Sequence, residues 1–212
     1  MTNEEYRKAF GELPKEAKEL AFRTALDSLN REIDLYWKRA TYFWAFIAFS
    51  LVGYVTLLTS PNLQSSSQRG EALLAASCLG VVFSTAWYFI NRSSKFWQRN
   101  WEKHVELLED DIIGPLHKTF MSSHGDSFWR FWTPYHFSGA KINQILSLFV
   151  VLLFLLIAAA TAWEYFCVSR VFSIAIIALT LGALSVLFLF GRSVTGTRED
   201  SIRATERTTK VV

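Results

Sequence analysis

The side chains best equipped for chemistry in this chain are four histidines (His104, His117, His124 and His136), two cysteines (Cys78 and Cys167) and an acidic run, Glu106, Glu109, Asp110 and Asp111. Imidazoles beside carboxylates build metal sites and general acid–base pairs, and thiols act as ligands or nucleophiles. The spacing supports neither use. No histidine has a Cys, Asp or Glu at a metal-site spacing, and no HExxH, CxxC or phosphate-loop pattern occurs. His104 with Glu106, Glu109 and Asp110 reads as a solvated helix face or a subunit contact. Both cysteines read as packing residues: Cys78 lies about 10 Å along its helix from the outer end of its span, too far for an intrachain disulfide with Cys167. With no nucleophile and base pair in view, the expectation is a protein that is not an enzyme and takes no cofactor or metal.

Transport is a different chemistry and needs polar groups inside a bilayer. Ser50, Thr56, Ser77, Ser84, Thr85, Ser147, Thr161, Thr180 and Ser185 fall within four long stretches that contain no Asp, Glu, Lys, Arg or His. Proton relays, ion-coupled transporters and voltage sensors depend on such ionisable groups, so all three are disfavoured. Hydroxyls in apolar helices more often bond their own helix. A channel or membrane-permeabilising effector, with hydroxyls from several subunits lining a pore, is the alternative reading.

The elements that hold these residues are set by hydropathy. Of the 212 residues, 51% are hydrophobic and 16% aromatic, a membrane composition. The uncharged stretches at 41–58, 72–91, 142–163 and 171–191 each come close to or exceed the roughly 20 helical residues that cross about 30 Å of hydrocarbon. They show no period-2 alternation, which excludes a closed β-barrel. The fold class is therefore all-α: a polytopic membrane protein with four transmembrane helices and long cytoplasmic helical extensions of the first and second spans. Five segments follow: a cytoplasmic amphipathic helix in 1–40, a transmembrane hairpin in 41–91, a cytoplasmic helix and aromatic interfacial segment in 92–141, a second transmembrane hairpin in 142–191, and a cytoplasmic tail in 192–212.

Sidedness follows the basic residues. Lys38, Arg39, Arg92, Lys95, Arg99, Lys141 and Arg192 flank the spans on one side, against Arg69 and Arg170 on the other, so both termini should be cytoplasmic. Residues 1–39 are charged throughout, and no cleavable signal is expected there. The net charge of +3 is spread over both signs and offers no footprint for nucleic acid.

Two apolar stripes adjoin the membrane. Phe22, Leu26, Leu29, Ile33 and Trp37 lead into the first span, and Trp97, Trp101, Val105, Leu108 and Ile112 lead out of the second at helical spacing. Nothing breaks 86–113 before Gly114-Pro115. The stripes should pack antiparallel, with Phe22, Leu29, Ile33 and Trp37 against Trp97, Trp101, Val105 and Leu108, as an oligomer or helix-hairpin contact; a peripheral helix lying flat on lipid is the rival reading of these segments. Ala76, Gly80 and Ser84 in the second span, and Ala178 and Gly182 in the fourth, have the small-xxx-small spacing that lets helices approach closely in lipid. Before the third span, Trp129, Trp132 and Tyr135 read as an interfacial aromatic anchor, with a lipid- or ligand-binding elbow as the sharper reading. The expected partners are membrane lipid, further copies of the chain, and an unidentified membrane or cytoplasmic protein.

Three segments carry a resemblance. "YWKRATYFWAFIAF" at 36–49, "WYFINRSSKFWQRNWEKHVELLEDDIIGPLHKT" at 87–119 and "SGAKINQILSLFV" at 138–150 together resemble the RipA-like family of bacterial inner-membrane proteins over about residues 30–155. The resemblance implies a bacterial cytoplasmic-membrane location, an octameric homo-oligomer and an accessory role in adaptation to stress or to a host cell. It carries no catalytic residue to this chain. The expectation is thus a non-enzymatic, homo-oligomeric inner-membrane protein that serves as an assembly and interaction platform.

Overall fold

The computed structural model describes residues 3–61, 66–119, 138–165 and 170–191. Its elements are all helical: α1 (Asn3–Gly11), α2 (Lys15–Thr59), α3 (Ser66–Leu108), α4 (Gly139–Tyr165) and α5 (Arg170–Phe190), with a single 3₁₀ turn at Glu109–Asp111. Four of them, α2 to α5, are long and apolar enough to cross a membrane.

The helix limits follow from local chemistry. Pro14 lacks an N–H and precedes α2, where Lys18 N donates to Pro14 O at 3.0 Å and Glu16 places an acid in the first turn. At the far end of α3 the N–H groups of Ile112, Ile113 and Gly114 all converge on Glu109 O at 2.9 to 3.0 Å. Gly114 then takes φ 77°, a left-handed conformation that glycine adopts without penalty, and the chain leaves the helix axis.

The described residues form two compact units. Residues 35–61, 66–95, 138–165 and 170–191 make a membrane unit, and residues 3–34 and 96–119 a hairpin unit. Both α2 and α3 supply residues to each.

In the membrane unit α3 is the hub. Of its most apolar 18-residue window 44% is buried, against 6% for α2, 17% for α4 and 6% for α5. Phe46 stacks on Phe83 and Trp44 meets Trp87 edge-on, which holds α2 to α3. The ring of Phe154 lies over Gly80 and that of Tyr165 over Gly70, leaving no room for a Cβ at either glycine, so α4 runs antiparallel to α3 at close range. On a third side, Thr180 reaches the Cys78 thiol and Phe188 lies 6.4 Å from Phe89, which places α5 against α3.

The hairpin unit has its own apolar centre. Tyr6, Phe22, Ala25, Leu29, Val105 and Leu108 are buried together, with Phe10, Leu26, Trp101 and Ile112 packed against them. Burying each large side chain contributes about 1.5–3 kcal/mol. The N-terminal segment is not one helix: α1 ends at Gly11, and α2 starts only after Pro14.

Candidate functional site: a clasped helical hairpin and an open membrane groove

Of the eight residues expected in the hairpin seam, Phe22, Leu29, Val105 and Leu108 lie in one buried cluster and Trp101 packs on its edge. Trp97 is half-buried beside Phe96. Ile33 and Trp37 fall outside the cluster, 41% and 53% exposed. The covered face of α2 passes through Ala25, Leu29, Tyr36 and Ala40, so Ile33 lies at its edge and Trp37 about a quarter of a turn from its centre. Phe22 and Leu29 of the expected stripe lie on that face, and Ala25, Tyr36 and Ala40 complete it.

The clasp over this seam is α1. Tyr6 enters the cluster and Phe10, one turn on, stacks against it at 4.6 Å. The Tyr6 hydroxyl lies 2.6 Å from His104 Nδ1, and Trp101 meets the imidazole at 5.4 Å. Burial raises the Tyr6 phenol to about 12 and lowers His104, so the neutral pair has the phenol donating to Nδ1. The (i, i+4) aromatic spacing of Tyr6 and Phe10 was the one sequence signal for this contact.

Glu109, expected on a solvated face, is fully buried. The 3₁₀ turn tightens the end of α3 and rotates its carboxylate inward, where it accepts the backbone N–H of His117 (2.7 Å) and of Lys118 (3.1 Å) and meets His117 Nδ1 at 2.8 Å. Burial alone would raise this carboxyl; the hydrogen bonds from His117 and Lys118 outweigh it and hold Glu109 below the usual range. Beside it, Lys18–Asp111 (3.1 Å) and Lys118–Asp110 (2.6 Å) are surface ion pairs of small energetic weight. A cleft of about 90 Å³ lies between Tyr6, Phe10, Lys18, Leu108, Asp110 and Asp111.

In the membrane unit the hydroxyls are spent at home. Ser50 donates to Phe46 O, Ser77 to Leu74 O, Ser84 to Val81 O, Ser147 to Gln144 O and Thr161 to Ile157 O. Side-chain bonds between helices include Arg39 to Ser94 (3.0 Å), Asn143 to the Tyr36 hydroxyl (2.6 Å), and Tyr54 with Thr161 (3.0 Å). Trp87 Nε1 and Asn91 Nδ2, on one face of α3, are buried with no hydrogen-bond partner among the described residues. Of the small residues singled out, Gly80 is covered by Phe154 and Ser84 is buried. Ala76 lines an apolar groove, whereas Ala178 and Gly182 face outward uncovered. The interfacial aromatics Trp129, Trp132 and Tyr135, with His124, His136, Cys167 and the tail from residue 192, lie outside the described residues.

Among the described residues no three His, Cys, Asp or Glu side chains gather as a metal site. The arrangement is that of a four-span, all-helical membrane protein, its spans gathered on α3, with a second helical unit closed by a short N-terminal clasp. The chain belongs to the octameric membrane protein family (8xMP), whose model matches residues 19–163. No curated protein and no solved structure matches it. The stretch that resembles RipA-like proteins falls inside the matched residues, and the match itself names the octameric family alone.

Proposed function

We propose that the chain is a non-enzymatic protein of a bacterial inner membrane that assembles as a homo-octamer, with both termini cytoplasmic, and that its clasped hairpin unit is an assembly and interaction platform used in adaptation to stress or to a host. The observation that supports this reading is the family match over residues 19–163, which takes in parts of both units. The basic residues beside the spans support the orientation. Lipid surrounds the spans, whose outward faces are apolar.

The channel reading gains less support. The span hydroxyls of Ser77, Ser84, Ser147 and Thr161 are buried within one subunit and bonded to their own helices, which makes them poor lining for a water path on a ring axis. Purified protein, verified as an oligomer and reconstituted into planar bilayers, should leave them electrically silent. A steady conductance that changes when Ser84 is replaced by Phe would transfer the function to the channel reading.

A further inference from the structure

The membrane unit carries a groove of about 670 Å³ between α2 and α3, lined by Ala48, Phe49, Val52, Gly53, Ala76 and Leu79 among others, and its open surface is wholly apolar. Its floor is shallow-walled and unfilled. A Cβ added at Gly53 would meet nothing within 4 Å, while Phe49 and Val52 at the rim are 75% and 63% exposed. On the other flank, α5 turns an equally bare face outward: Ile174 and Leu179 are exposed, and a Cβ at Gly182 would meet nothing.

Helix geometry places these two flanks. α2 packs on α3 at Phe83 and Trp87, and α5 packs on α3 at Cys78 and Phe89. At about 100° per residue, Phe83 and Cys78 point roughly 140° apart, and Trp87 and Phe89 roughly 160° apart. A closed ring of identical subunits is built head to tail, each copy using two different faces, and in an eight-membered ring those faces lie about 135° apart. A two-fold contact would instead ask one face to fit itself.

The heights also match. The pairs Phe46–Phe83 and Trp44–Trp87 set α2 antiparallel to α3 and put Gly53 about level with Ser77. The pairs Cys78–Thr180 and Phe89–Phe188 set α5 parallel to α3 and put Ala178 at that same level. A ring axis normal to the bilayer moves each copy at constant height, so Gly53 of one subunit comes opposite Ala178 of the next. Both are small residues, which allow backbones to approach closely where lipid supplies no hydrophobic drive.

We propose that the groove is the seat of a second copy: α5 of one subunit, centred on Ala178, packs head to tail against Gly53 in the α2/α3 groove of its neighbour. The inference rests on the octameric reading above and supplies its contact within the membrane.

Cysteine cross-linking in the full chain tests it. With Cys78 and Cys167 replaced by Ala, a chain carrying both Gly53→Cys and Ala178→Cys should, on oxidation in the membrane, give a ladder of covalent multimers that ends at eight. Each single variant should remain uncross-linked alone, and the two co-expressed should form a dimer. No ladder from a double variant that keeps its full native mass overturns the contact, as does a dimer from Gly53→Cys alone. Independently, Gly53→Trp, which fills the groove, should reduce the native particle to single subunits with its helicity intact. An undiminished Gly53→Trp particle overturns the proposal, and loss of bound phospholipid from that particle would identify the groove as a lipid seat. A wild-type protein that weighs one subunit removes the octameric reading itself, whereas an intact octamer without the 53–178 link removes this contact alone.

Discussion

Two side chains fix the ends of the hairpin unit by opposite electrostatic means. Glu109 stays charged while buried, because two backbone N–H groups and the His117 imidazole face it. Replacing it with Ala leaves the N–H groups of His117 and Lys118 without their acceptor, at about 1–3 kcal/mol, and amide exchange across 112–119 should quicken while that of Val105 stays slow. His104 stays neutral while buried, accepting from Tyr6. Both groups are lowered in the fold, so both contributions are present above the unfolded values and lost as the pH falls through the folded ones. Those unfolded values differ, about 6.5 for His and about 4.3 for Glu. Protection of the α1 amides, taken relative to their intrinsic exchange at each pH, should therefore fall first, as the pH drops below about 6.5, and protection across 112–119 only near pH 4 or below. A reversed order would show that these are not the groups in control. Neither role was legible in the sequence: an isolated Glu in a run of acids reads as solvated, and only the tightened turn after Leu108 brings it inside.

The spans could be read directly from uncharged length, because water, hydrocarbon and backbone hydrogen bonding leave one solution for about 20 apolar residues. Which face each helix buries was less accessible. Along α3 the covered positions include Ser77, Ser84, Asn91 and Gln98 at seven-residue intervals, with Gly80, Trp87 and Ser94 between them. In lipid, close packing favours small and hydrogen-bonding residues, so size and hydropathy no longer mark the inside. Gly80 is the sharpest instance. Gly80→Ala must displace the Phe154 ring and should cost roughly 1–3 kcal/mol, seen as earlier thermal unfolding in mild detergent. In a chain that also carries Phe154→Ala that cost should largely vanish, and strict additivity of the two losses would show that α3 and α4 do not meet there.

At the scale of the whole molecule, one subunit leaves much apolar surface bare, and membership of the octameric family supplies a reason for it. The uncovered faces of α2 and α5 are where copies would meet, and within the hairpin unit the seam is already filled by α1. A subunit number cannot be read from periodicity: small-xxx-small spacing marks close helix approach without fixing how many helices meet. The central claim is the homo-octamer, and the most direct measurement is the mass of the purified wild-type complex in mild detergent by native mass spectrometry, with single-particle images viewed along its axis. Eight copies in a closed ring with eight-fold symmetry are expected. A single subunit, or a dimer whose two copies share one face, would contradict it.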